Sequence, residues 1–77
     1  MIQGKKVILE LTADEGLVVF EWLARFNQKD DVVFEDSAER RVLFDLESKL
    51  ESSLAAPLES NYKDLLAVAR SRVRDRE

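Results

Sequence analysis

Thr12–Asn27 constrains the fold more than any other stretch of this chain. Thr12-Ala13-Asp14-Glu15 fits a helix start. The Thr12 hydroxyl can accept from the backbone N–H of Glu15 while the Glu15 carboxylate reaches back, as in a capping box. Asp14 and Glu15 also place negative charge at the positive end of the helix dipole. Then come Leu17, Val18, Val19, Phe20, Trp22, Leu23, Ala24 and Phe26. At helical pitch Asp14, Glu21 and Arg25 share a stripe only about 40° wide, and nearly everything else past the first turn is apolar. An ordinary surface helix carries an apolar stripe of little more than ~100°. This helix must therefore be packed on more than one side, within the domain or against a second molecule.

With 77 residues, one domain (1–77) is the sensible count. A chain this short buries only about 60–65% of what its unfolded form exposes, so its core is thin and association would help it. Hydrophobic content of 45% beside 36% charged residues places it among soluble globular chains and not disordered ones. The absence of cysteine removes disulfides and thiol or cysteine–zinc chemistry, and favours a reducing cytoplasm. The start of the chain lacks a secretory apolar core. Its apolar runs, Leu17–Phe20 and Leu65–Ala69 among them, are far short of the ~20 residues of a membrane span. The expectation is a cytoplasmic protein without membrane contact. Net charge is −4, divided as −6 over residues 1–62 and +2 over residues 63–77. An acidic body with a basic tail argues against general nucleic-acid binding and suits a basic protein surface.

Val7-Ile8-Leu9-Glu10-Leu11 reads as a strand, with Val7, Leu9 and Leu11 on one face. One strand needs a partner. Val32-Val33-Phe34 can supply a second short strand in the same chain, or the 7–11 strands of two chains can pair across a two-fold axis. The shortness of 32–34 favours the second. Helix 1 then spans about Ala13–Asn27. Helix 2 starts at Asp36, where Asp36-Ser37-Ala38-Glu39 repeats the capping-box pattern, and buries the stripe Val42, Leu43, Leu46, Leu50 and Leu54. Ser52–Leu58 closes it, and Pro57 biases Ala56 away from helical geometry. Ser60 or Asn61 caps helix 3, whose buried face is Tyr62, Leu65, Leu66, Ala69 and Val73. The predicted class is α+β, mainly α: one N-terminal strand, with or without the second, followed by three helices around one small core.

Three stretches resemble a family of small bacterial proteins of unknown function. They are Leu11-Thr12-Ala13-Asp14-Glu15-Gly16-Leu17-Val18-Val19-Phe20-Glu21-Trp22-Leu23 followed by Arg25-Phe26-Asn27; Phe34-Glu35-Asp36 with Ala38-Glu39; and Asn61-Tyr62-Lys63-Asp64-Leu65-Leu66. The likeness spans about residues 8 to 75. Its motifs are caps and core positions, so it implies no activity and assigns no residue a role.

With no His and no Cys, the common general base and both common nucleophile pairings are missing, and the expectation is not an enzyme. The acids Asp30, Asp31, Glu35, Asp36 and Glu39 do not follow the spacing of a calcium loop, so turn and cap roles account for them better than a metal. No metal or cofactor is expected. Arg70, Arg72, Arg74 and Arg76 crowd the end of helix 3. They complement its dipole, or, as the alternative function, they contact nucleic acid. Trp22 lies across helix 1 from Leu17 and Ala24, beside Val18. It is either covered by strand 1 and helix 3, the plainer reading, or anchored in a partner. Phe44 stands away from the helix 2 stripe among Arg40, Arg41 and Ser48, covered by the N-terminus or free as a contact. These features lead to a non-enzymatic protein-interaction module, of adaptor, inhibitor or antitoxin type and expected as a homodimer. Its candidate contacts are Val18, Trp22 and Phe44 on an acidic surface.

Overall fold

The computed structural model describes residues 4–76. It contains three α-helices, α1 (Ala13–Phe26), α2 (Ser37–Ser53) and α3 (Tyr62–Arg74), with a short 3-10 turn at Ala56–Leu58. There is no strand among the described residues, so the fold is all-α and the α+β expectation is corrected. The two proposed strands fail for different reasons. Residues 7–11 are mostly apolar and β-branched at their start, but among the described residues no edge lies opposite them to complete a ladder. The 32–34 segment is spent otherwise: Phe34 turns edge-on to Phe26, with ring centroids 6.3 Å apart, while Val33 faces solvent.

Local signals placed the helices. At α1 the Glu15 N–H donates to the Thr12 hydroxyl at 3.0 Å and the Thr12 N–H donates to Glu15 Oε1 at 2.8 Å, completing the capping box. At α2 the Asp36 carboxylate accepts from the Ala38 N–H at 2.7 Å. Glu39 reaches one residue further back than the pattern implies and accepts from the Glu35 N–H at 3.0 Å. The α2 helix ends where the hydroxyls of Ser52 and Ser53 donate to the Lys49 carbonyl and Leu54 turns extended. Ala56 was expected to leave helical geometry, yet it opens the 3-10 turn. Pro57 sits in the first turn, where its missing N–H leaves no bond unmade. Asn61 precedes α3 without a side-chain cap bond.

The α1 helix lies between the other two, as its broad apolar arc requires, and α2 and α3 pack on it more than on each other. Gly16 faces Leu50 and Leu54, and Asn27 faces Leu43 and Glu47, so α2 runs antiparallel to α1. Tyr62 meets Glu21 and Arg72 meets Asp14, so α3 is antiparallel to α1 as well. Residues 54–61 carry the chain back along α1 between them. The buried hydrophobic side chains are Leu17, Phe20, Leu23, Leu66 and Ala69, all on α1 and α3. None lies on α2.

One register differs from the sequence reading. The residues of α2 turned inward are Arg40, Leu43, Glu47, Leu50 and Leu54, spaced at helical intervals. Val42 and Leu46, expected in the buried stripe, are exposed. The Asn27 backbone N–H closes the end of α1 on the Leu23 and Arg25 carbonyls. Its side-chain amide crosses to α2, donating to Glu47 Oε1 at 2.7 Å and to the Leu43 carbonyl at 3.3 Å. These bonds accompany a register in which Glu47 faces the seam and Val42 and Leu46 face outward.

The result is an open arrangement. Its radius of gyration is 14.4 Å, against about 11.5 Å for a compact chain of this length. The accessible surface is 6601 Å², where a compact monomer of this mass exposes about 4,800 Å². The surplus is about 1,800 Å² on that scaling.

Candidate interaction surface

Two uncovered apolar features account for much of the surplus. The first is the arm that precedes α1. Val7, Ile8 and Leu9 are 91%, 82% and 80% exposed, and Leu11 is half exposed. Lys5 and Lys6 stand just ahead of them. The second feature is an aromatic strip leading to a cleft. Trp22, 46% exposed, stacks on Phe26 with centroids 4.7 Å apart and planes 17° from parallel. Phe26 holds Phe34, and the Arg40 guanidinium lies 4.8 Å from the Phe34 ring centroid. On the other side of Phe34 a cleft of about 460 Å³ opens against Ala38, Glu39, Val42 and Leu43. Leu46, one turn beyond Val42, continues the apolar surface along α2.

The three residues singled out from sequence separate here. Trp22 is exposed and begins the strip. Phe44, 43% exposed, lines a shallow hollow with Ser37, Arg40 and Arg41. Arg40 thus stands between Phe44 and Phe34. Val18 packs against the core cluster and belongs to the interior seam. Phe34, Val42 and Leu46 were not singled out as contacts. The pairing of Phe34 with Phe26 has no local spacing to reveal it, and Val42 and Leu46 were assigned to the core. The available signal was Asn27, a helix-ending amide that needs an acceptor from a neighbouring helix.

The α1–α3 seam engages two of the four arginines at the end of α3. Arg76 donates to Glu15 at 2.7 Å and Arg72 to Asp14 at 3.5 Å, while Arg74 pairs with Asp75 at 3.3 Å. Of the four arginines proposed for nucleic acid, only Arg70 makes no ion pair among the described residues. The Thr12 N–H, with Arg76 beside it, holds the Glu15 carboxyl below the usual carboxylate range. That contribution to stability is present at neutral pH and is lost as pH falls through the lowered value. Among the acids at 30–39, Asp36 and Glu39 serve as caps. Among the described residues no group of three potential ligands is placed to hold a metal ion, and no helix is long and apolar enough to cross a membrane.

Tyr62 donates its hydroxyl proton to Glu21 at 2.7 Å, and Glu21 also pairs with Arg25 at 3.4 Å. Partial burial, followed by the Glu21 carboxylate, pushes the phenol up to about 12. A folded-state value above the unfolded one contributes stability that is complete below about pH 10 and lost as pH rises toward 12. The fold is therefore expected to weaken across that alkaline window, and Tyr62→Phe to flatten the dependence while lowering stability at neutral pH. Tyr62 is the only tyrosine, so phenolate absorbance reports its titration directly. A midpoint at the ordinary tyrosine value would remove this account. Comparison of the chain with protein-family models, with curated proteins and with solved structures finds no match.

Proposed function

We propose that this chain is a non-enzymatic protein-interaction module of a bacterial cytoplasm that works as a homodimer. The observation that carries the reading is the surplus of about 1,800 Å² of surface together with exposed aliphatic and aromatic side chains on the arm, the strip and α2. A standard interface takes about 800 Å² from each partner, so the surplus is sufficient for one. Contiguous apolar surface with a charged rim is the usual character of a contact face. Trp22 and Phe44 are the candidate anchors, with Arg40 between Phe44 and Phe34. The lowered Glu15 carboxyl and the raised Tyr62 phenol have structural partners that account for them. Neither needs a catalytic role.

The test is recovery of bound proteins from the source cells with a tagged chain, quantified by mass spectrometry. Wild type is expected to retain at least one protein, its own untagged copy included. The Trp22→Ala/Phe44→Ala variant, folded by circular dichroism, is expected to lose it. Equal recovery by both would end the proposal for these anchors. The arginine reading is not advanced, since Asp14, Asp75 and Glu15 already neutralise three of the four cations.

A further inference from the structure

We infer that the arm of one copy, Lys5–Leu11, docks into the Phe34–Val42 cleft of a second copy, and that the exchange is reciprocal. This rests on the interaction reading above and names the occupant of its surface. The first support is chemical match. The arm offers Val7, Ile8 and Leu9 without cover, and the cleft offers Phe34, Ala38, Val42 and Leu43. The second is charge. Lys5 and Lys6 adjoin the aliphatic stretch of the arm, while Glu35, Asp36 and Glu39 adjoin or line the cleft and outnumber the one cation on Phe34, Arg40. Opposite charges at the rim fix orientation and register.

The third support is reach, which excludes the chain's own arm. The arm leaves α1 at Thr12, and the cleft begins beyond Phe26, at the opposite end of that helix. Fourteen residues of helix separate those points by about 21 Å. Even fully extended, Val7 reaches at most about 18 Å from Thr12, Ile8 about 14 Å and Leu9 about 11 Å. None of these three falls at its own cleft while this fold stands. A second copy meets no such limit, and a two-fold axis lets each arm fill the other's cleft. The area also agrees: reciprocal exchange covers an arm and a cleft on each copy, in keeping with the surplus found for the single chain.

The chain contains no cysteine, so engineered disulfides can map the contact. Leu9→Cys and Val42→Cys each alter an exposed side chain. The two single variants are mixed in equal amounts and oxidised mildly. A mixed 9–42 dimer is expected as the main product. Only 9–9 dimers would mean that arms pair with arms; the inference falls and self-association stands. No crosslinked dimer, or a 9–42 link within single chains of the double variant, overturns it. The wider interaction reading is then decided separately by the capture experiment. As a second measure, Lys5→Glu/Lys6→Glu is expected to weaken dimerisation about tenfold, with partial recovery when Glu39→Lys is added. Unchanged dimerisation in the lysine variant would contradict the proposed orientation.

Discussion

Leu23→Ala is expected to lower the unfolding free energy by about 2–5 kcal/mol. Leu23 is the largest side chain fully enclosed by the fold, at 1% exposure. It lies on α1, the one helix packed from both sides, so neither α2 nor α3 can close over the lost volume without leaving the other. A domain of this length has only about 4–12 kcal/mol in total. The substitution therefore removes a large share, and the variant is expected to unfold at much lower urea concentration. Leu46→Ala is the control, because Leu46 is exposed and its loss should fall within about 0.5 kcal/mol in the monomer. A Leu23→Ala cost under about 1 kcal/mol, outside the range of buried leucine truncations, would mean that the helices do not pack as described.

Asn27→Ala is expected to cost about 1–3 kcal/mol, the range for a hydrogen bond to a charged group with its partner left half-buried. The Asn27 amide joins α1 to α2 through Glu47 and the Leu43 carbonyl, and nothing else in the seam explains why a carboxylate faces inward. A double-mutant cycle with Glu47→Ala should return a coupling of about 1 kcal/mol, because the second substitution removes what the first leaves unpaired. Additive losses would show the bond to be incidental. The pair also marks where pattern and structure part: the hydrophobic periodicity of α2 alone would turn Val42 and Leu46 inward, while the register with Leu43 and Glu47 toward Asn27 leaves those two exposed.

That conflict explains what the sequence disclosed and what it withheld. Caps are local, and their reading holds at Thr12 with Glu15 and at Asp36. The α3 face follows its periodicity, with Leu66 and Ala69 buried and Tyr62, Leu65 and Val73 partly so. The position of α1 between two neighbours was legible from its apolar arc. The strand at Val7–Leu11 was a sound local reading of β-branched residues, but a strand exists only with an edge to pair, and no edge is visible in composition. The register of α2 was misread because Val42 and Leu46 lie at the edge of its aliphatic stripe, and only tertiary placement sets Leu43, Glu47 and Leu50 inward and leaves those two exposed. The aromatic strip follows in turn: Phe34 finds Phe26 only after α2 has been set. The candidate surface was legible at Trp22 and Phe44, whose surroundings on their own helices were unusual. It was not legible at Phe34 and Val42, whose exposure depends on tertiary placement.

The aromatic strip that begins at Trp22 is part of a larger incomplete surface, which includes the arm and one flank of α2. A fold with this little buried volume gains from covering that surface, and a second copy carries both complementary parts. Sedimentation equilibrium of the intact chain is the most direct test of that claim. Over the micromolar range the account predicts a mass that rises with concentration to twice the chain mass. A single-chain mass throughout, with the helices intact by circular dichroism, would contradict it.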